Sequence, residues 1–109
     1  MVMENLTGSF VIPQNHPSIA GHFPGHPVVP GVVLLAEVER LFKAHFEDIQ
    51  ILKVVQAKFN RPVTPEQTVR ISVDWMETKT PGQWKASFKL FTEVGTLAAS
   101  GQMLLELQV

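Results

Sequence analysis

The sequence of 109 residues has no cysteine, no excess of basic residues and no long apolar run. Without cysteine, the chain has no disulfide framework, no thiolate nucleophile and no cysteine ligands for zinc. Nine Lys and Arg residues stand against ten Asp and Glu residues, which gives a formal net charge of −1 at pH 7. No basic stripe is therefore available to neutralise phosphates, and we do not expect nucleic-acid binding.

The longest apolar run covers residues 32–36, far short of the roughly 20 residues that cross a bilayer. The N-terminus has neither the basic region nor the apolar stretch of a signal peptide. We therefore expect a soluble, cytoplasmic protein without a membrane partner. With 45% hydrophobic residues, residues 1–109 are expected to form a single domain. A domain this small buries a modest share of its surface, which favours an oligomer.

The order of apolar and polar residues predicts five strands and one helix. Apolar residues alternate with polar ones at strand spacing, while Pro81-Gly82 and Gly95 mark turns. The predicted strands cover residues 6–12, 49–59, 69–75, 84–90 and 97–107.

The helix is predicted from Val32 to about Phe46. Its first turns are apolar on every side, which predicts burial all round, whereas its second half is amphipathic. A sheet that curls round this helix buries the helix and one sheet face together. The sequence therefore predicts an α+β architecture.

The most informative segment is residues 21–31, which read GHFPGHPVVPG. It places His22 on a loop stiffened by three prolines and ends at Gly31, where the helix is expected to begin. An imidazole titrates near neutral pH, so it can take and return a proton. The first N–H groups of a helix lack intrahelical partners and favour negative charge. A candidate base and a helix terminus that can bind an anion thus lie within ten residues of each other in the sequence. Such a pair suits proton transfer on a carbonyl compound, whose oxygen gains negative charge during the reaction.

Residues 21–32 strongly resemble the signature of the hotdog-fold 3-hydroxyacyl acyl-carrier-protein dehydratases, and residues 58–63, KFNRPV, resemble a second segment of that family. Residues 16–20, HPSIA, look like the subgroup associated with aryl polyene and related pathways. The resemblance implies a hotdog fold, an antiparallel sheet wrapped around one central helix. It also implies a homodimer, an oligomer of dimers or a heterodimer, in which each active site draws residues from both protomers.

The same resemblance implies the reaction and its partner. An acyl carrier protein would present a 3-hydroxyacyl chain on its phosphopantetheine arm, and the enzyme would make a trans-2-enoyl thioester and water in fatty acid or polyketide-type biosynthesis. No cofactor of the protein's own is implied, since the phosphopantetheine belongs to the substrate.

The resemblance assigns the catalytic base to His22 and the backbone donor for the thioester oxygen to Gly31. The residues alone leave two simpler interpretations open, a histidine that hydrogen-bonds within a turn and a glycine required by turn geometry. A metal site is not expected. Pro24 lies within the interval between His22 and His26 and Pro27 lies beside it, so the two histidines cannot share a helical face, and no carboxylate completes a ligand set. The expected substrate-binding residues are Phe23, Pro30, Val32 and Phe59.

The acid of the family lies fourteen residues after the histidine, a position that Ala36 occupies here. Glu37 follows directly, but one residue turns a helix by about 100°, so its side chain should point elsewhere. Three interpretations stay open. His22 transfers both protons with the help of a water beside Ala36, or Glu37 replaces the acid. In the third, the chain is a catalytically silent hotdog subunit that binds acyl chains or carrier protein, or partners an active subunit. A hotdog thioesterase is a weaker alternative, since the His22 loop is not typical of one.

Overall fold

The computed structural model describes residues 3–17 and 28–107. Within these residues the chain forms one helix and five strands in the predicted order. The elements are β1 (Met3–Val11), α1 (Gly31–His45), β2 (Ile49–Phe59), β3 (Thr68–Glu77), β4 (Gln83–Phe91) and β5 (Leu97–Leu107). The predicted element types are confirmed, and β2 and β5 have the predicted bounds.

The five strands form one antiparallel sheet in the order β1-β3-β4-β5-β2. The two predicted turns connect β3 to β4 and β4 to β5. Gly82 and Gly95 have φ angles of 83° and 92°, a left-handed conformation that glycine adopts without steric cost. Because both connections are short, β3, β4 and β5 lie side by side, while β1 and β2 form the two edges.

The core lies between one face of the sheet and α1. The inward residues of β3 and β4 alternate with exposed ones, as the sequence predicts for strands with one covered face. The helix presents Leu34, Val38 and Phe42 to this face, and all three are buried. The ring of Phe42 meets Trp75 edge-on with centroids 6.4 Å apart. The α+β fold with an antiparallel sheet around one helix is confirmed.

The predicted burial of the first helical turns on all sides is wrong for this single chain. The side chain of Val32 is 72% exposed, and Ala36 is exposed one turn later. The sheet covers only the face of α1 that carries Leu34 and Val38. The apolar composition therefore predicted burial correctly for the face that the sheet covers and wrongly, in the single chain, for the opposite face.

Among the described residues, no helix is both long enough and apolar enough to span a membrane.

Candidate active site

The start of α1 has the geometry of an open helix terminus. Pro30 stands at the N-cap in an extended conformation, with φ −60° and ψ 147°, and its own side chain makes no capping hydrogen bond. The amides of Val33 and Leu34 both donate to the Pro30 carbonyl oxygen, at 3.0 and 3.4 Å. The amides of Gly31 and Val32 precede them, and no acceptor in residues 3–17 or 28–107 pairs with either. Two N–H groups at the positive end of the helix dipole are thus placed to meet an anionic oxygen.

Backbone hydrogen bonds fix this terminus beside the end of β2. The Val29 amide donates to the Val63 carbonyl at 2.7 Å. The amides of Asn60 and Arg61 donate to the Ala98 carbonyl at 2.8 and 3.1 Å. The segment before the helix and the segment after β2 are therefore held side by side, although about thirty residues separate them in sequence.

A cleft of about 340 Å³ opens where these two segments meet. Its walls are the residues of the two segments together with Leu34 from the helix, and most of the lining is apolar. The Phe59 ring lies against Gly31, because a methyl group on Gly31 would stand 2.7, 2.9 and 3.1 Å from three of the ring carbons. Contact with Phe59 is thus a structural reason for glycine at this position, beyond the turn geometry considered from sequence. Phe59 is 49% exposed, so this wall of the cleft also faces solvent.

The structure brings three of the predicted site residues together and separates others from them. Pro30, Gly31 and Phe59 all line the cleft. Val32 does not line it, and its side chain points into solvent. His22 and Phe23 lie outside the described residues.

Glu37 lies away from the cleft. Six residues after Gly31, it is rotated by roughly 240° around the helix axis. Its side chain is only 11% exposed, and one carboxylate oxygen lies 3.2 Å from the Arg40 guanidinium. It borders a second cleft next to Ser9 and Ile71 of the β1–β3 side of the molecule. The catalytic role of Glu37 stays a prediction, and within one chain its carboxylate does not meet the Gly31 amide.

Sequence reasoning missed the part played by Val63 and Asn60. Val63 is 1% exposed and anchors the helix entry through its carbonyl, while Asn60 borders the cleft. The sequence feature that could have identified both residues is the segment KFNRPV, residues 58–63. It carries the family resemblance, and its residues 59–63 also form one wall of the cleft. The described residues contain no group of three or more His, Asp or Glu side chains that could hold a metal ion.

Comparison with known proteins places the chain in a family. Residues 2–102 match the family described as ApeI-like, ApeI dehydratase. A relative from Geotalea uraniireducens, 3-hydroxyacyl-(acyl-carrier-protein) dehydratase FabZ, is 33% identical over 99 residues, which cover 82% of this chain and 67% of the relative. The chain spans just over half the length of two further FabZ relatives, 54% and 55%.

Solved structures share the fold at low sequence identity. The (R)-hydratase from A. caviae involved in PHA biosynthesis superposes with a TM-score of 0.79 at 16% identity, covering 99% of this chain and 97% of that one. The dehydratase heterocomplex ApeI:P from Xenorhabdus doucetiae superposes with a TM-score of 0.77 at 20% identity, covering 97% and 95%. The sequence match over nearly the whole length, on a hotdog fold with its helix terminus open to a cleft, makes this chain a member of the ApeI-like dehydratase family.

Proposed function

We propose that this protein is a lyase that dehydrates 3-hydroxyacyl thioesters carried on acyl carrier protein, giving a trans-2-enoyl thioester and water. The observation that carries the proposal is the open N-terminus of α1 at Pro30-Gly31. It faces an apolar cleft and comes nine residues after His22 in the motif that resembles the family signature.

The reaction needs a base at C2, a donor to the thioester oxygen and a proton for the departing hydroxyl. In our proposal His22 takes the C2 proton, and the Gly31 amide donates to the thioester oxygen as negative charge develops there. The C2–H electron pair then forms the C2=C3 double bond, and the C3–O bond breaks as its oxygen receives a proton and leaves as water. That proton is returned by His22 through a water beside Ala36, or it is supplied by Glu37. Pro30 and Phe59 supply apolar walls for the acyl chain near C2 and C3.

A basic row on the outer face of the sheet supports the carrier protein as partner. The strand register aligns Lys58, Ser100, Lys89 and Ser72 across β2, β5, β4 and β3, and this row contains no carboxylate. Both lysines are exposed. Arg61, also exposed, stands at the mouth of the cleft that Phe59 borders. An acidic carrier that docks on these cations would hold its phosphopantetheine arm next to the cleft.

The edge strand β2 supports assembly with a second hotdog chain. One side of β2 pairs with β5, and the other side has no neighbouring strand among the described residues. Leu52, Val54, Val55 and Phe59 are large apolar residues exposed on this strand. Such an edge favours pairing with another strand. We propose a homodimer through β2, and the exposed Val32 face of α1 would lie next to the same interface. The cytoplasmic location and the lack of a separate cofactor stay predictions.

The alternative is a silent subunit, and Ala36 is the observation in its favour. The purified protein is incubated with a trans-2-enoyl pantetheine thioester, and hydration is followed by the loss of conjugated absorbance. Turnover well above that of His22→Ala supports the dehydratase. Release of free thiol instead indicates a thioesterase. Absence of turnover in the homo-oligomer contradicts the proposal and favours the silent subunit.

A further inference from the structure

A pocket of about 460 Å³ opens at the opposite end of α1 from the cleft. Its lining residues are Asn5, Leu6, His45, Phe46, Trp75 and Trp84, and we call it the aromatic pocket. His45 is the last residue of α1, and Phe46 is its C-cap. At 1.5 Å per residue, about 21 Å of helix separates His45 from Gly31. A ligand in the aromatic pocket would therefore not occupy the cleft at the start of the helix.

Three aromatic rings form the walls of the aromatic pocket. The centroid of the Trp75 ring lies 4.6 Å from that of Phe46 and 4.6 Å from that of Trp84, with interplanar angles of 60° and 42°. Trp75 is only 6% exposed and forms the base, whereas Phe46 and Trp84 are half-buried and keep part of their surface open to solvent. The face of an aromatic ring carries partial negative charge and attracts a cation, most strongly in tryptophan. The walls of the pocket thus favour a positively charged group.

The charges around the aromatic pocket also favour a cation over an anion. No Lys or Arg is among its lining residues. The C-terminus of α1, at which the pocket lies, carries the negative end of the helix dipole. Lys43, the lysine of the last turn, is paired with Glu39 at 3.4 Å. Glu47 and Asp48 follow the helix directly, are exposed and form no ion pair with any other described residue. Negative charge therefore predominates at this end of the helix.

The His45 imidazole does not oppose a cation when it is neutral. Its Nδ1 lies 3.1 Å from the Leu41 carbonyl oxygen, and because a carbonyl only accepts, Nδ1 carries the hydrogen of this hydrogen bond. In the neutral ring Nε2 is then an acceptor, which can receive a hydrogen bond from an O–H group of a ligand. The pocket thus combines ring faces for a cation with an acceptor for a hydroxyl group.

We infer that the aromatic pocket binds a small organic cation that carries a methylated ammonium group. The methyl groups pack on the rings of Phe46 and Trp84, and the positive charge lies against the ring faces. A primary ammonium suits the pocket less well, because it would lose strong hydration for which the lining supplies few acceptors. No residue lines both this pocket and the cleft, so the inference does not depend on the proposed function.

The first test titrates choline into the protein and follows tryptophan fluorescence. The chain has two tryptophans and no tyrosine, and both tryptophans line the aromatic pocket, so the emission reports on this pocket. The matched neutral probe is 3,3-dimethylbutan-1-ol, which has the shape of choline with carbon in place of the charged nitrogen. Choline should bind saturably, with a Kd at least about tenfold below that of the alcohol, because only the cation is attracted by the ring faces. Sodium chloride at equal concentration controls for ionic strength.

The second test locates the site by saturation-transfer NMR on the choline methyl protons, a measurement that does not need Trp84. Trp84→Leu keeps an apolar side chain but removes a ring, so the Kd for choline should rise about tenfold or more. Trp84→Phe keeps a ring face and should bind choline at least about threefold more tightly than Trp84→Leu. The matched control is Phe91→Leu, since this half-buried ring lies beneath Arg70 on the outer side of the sheet. Its Kd should stay within about twofold of wild type, because distant sites act independently. Circular dichroism verifies the fold, and Phe46→Leu replaces Trp84→Leu if the latter unfolds.

Each outcome supports or overturns the inference. Tighter binding of choline than of the alcohol, weakened by Trp84→Leu and unchanged by Phe91→Leu, supports it. Equal Kd values for choline and the alcohol overturn it, because the pocket would then bind apolar groups without regard to charge. A choline titration that does not saturate, or a Trp84→Leu variant with the wild-type Kd, also overturns it. None of these measurements uses an acyl thioester, so failure here leaves the proposed dehydratase in place.

Discussion

Replacing Gly31 by alanine separates its proposed role as donor to the thioester oxygen from its structural role. The new methyl group would stand 2.7–3.1 Å from three carbons of the Phe59 ring, so the ring must move. Because the ring is already half exposed, losing the rest of its contact costs about 1 kcal/mol of apolar burial. Alanine returns about 0.5–1 kcal/mol through its better helix propensity. The free energy of unfolding should therefore change by less than about 1 kcal/mol.

The activity of Gly31→Ala should fall far more than its stability. A methyl group beside the first helical amide keeps the thioester oxygen from close approach, and loss of one such donor costs on the order of 10²–10³ in kcat. Urea unfolding measures the stability, and hydration of an enoyl thioester measures kcat. The control is Phe59→Ala, alone and combined with Gly31→Ala, because it removes the ring that the methyl group displaces. If the double variant is as active as Phe59→Ala alone, Gly31 serves only to make room for the ring, and its assignment as oxyanion donor is wrong.

Three further predictions follow from the packing, the edge strand and the basic row. Phe42→Ala removes a ring with no exposed surface, so urea unfolding should show a loss of about 3–5 kcal/mol; a loss below about 1 kcal/mol would contradict its place in the core. Val55→Glu puts a charge on the exposed edge strand, so size-exclusion chromatography should show monomer with an unchanged circular dichroism spectrum, and an intact dimer would exclude β2 as the interface. The double variant Lys58→Glu with Lys89→Glu should raise KM for a carrier-bound substrate about tenfold and leave KM for a pantetheine thioester within about twofold. Equal changes in the two KM values would contradict docking of the carrier protein on this face of the sheet.

The strand pattern was readable from sequence because one face of the sheet is buried. Alternation at Val69, Ile71 and Val73 follows directly from burial of every second residue, and all three are in the core. The turns at Gly82 and Gly95 were equally local, because each depends on one residue that accepts a positive φ. Local patterns of this kind fix the element types and the sheet with little help from distant residues.

The parts that failed or stayed open depend on contacts between distant residues. No residue near Gly31 in sequence predicts the Phe59 ring packed against it, since the two residues lie 28 positions apart. The exposure of Val32 and the turn of Glu37 toward Arg40 depend on which side of α1 the sheet covers. A helix that is apolar all round at its start does not reveal that side. The His22 loop was identified from its motif alone, and its residues lie outside the described part of the chain.

The most direct test of the account is the conversion of a 3-hydroxyacyl carrier protein, followed by intact mass, with wild-type protein and with His22→Ala at equal concentration. The wild type should convert the carrier to a species lighter by one water until equilibrium is reached, and His22→Ala should be slower by about 10²-fold or more. A wild type that leaves the mass unchanged, or a His22→Ala variant that reaches equilibrium at the same rate, would contradict the proposal that this helix terminus and this histidine form a dehydratase site.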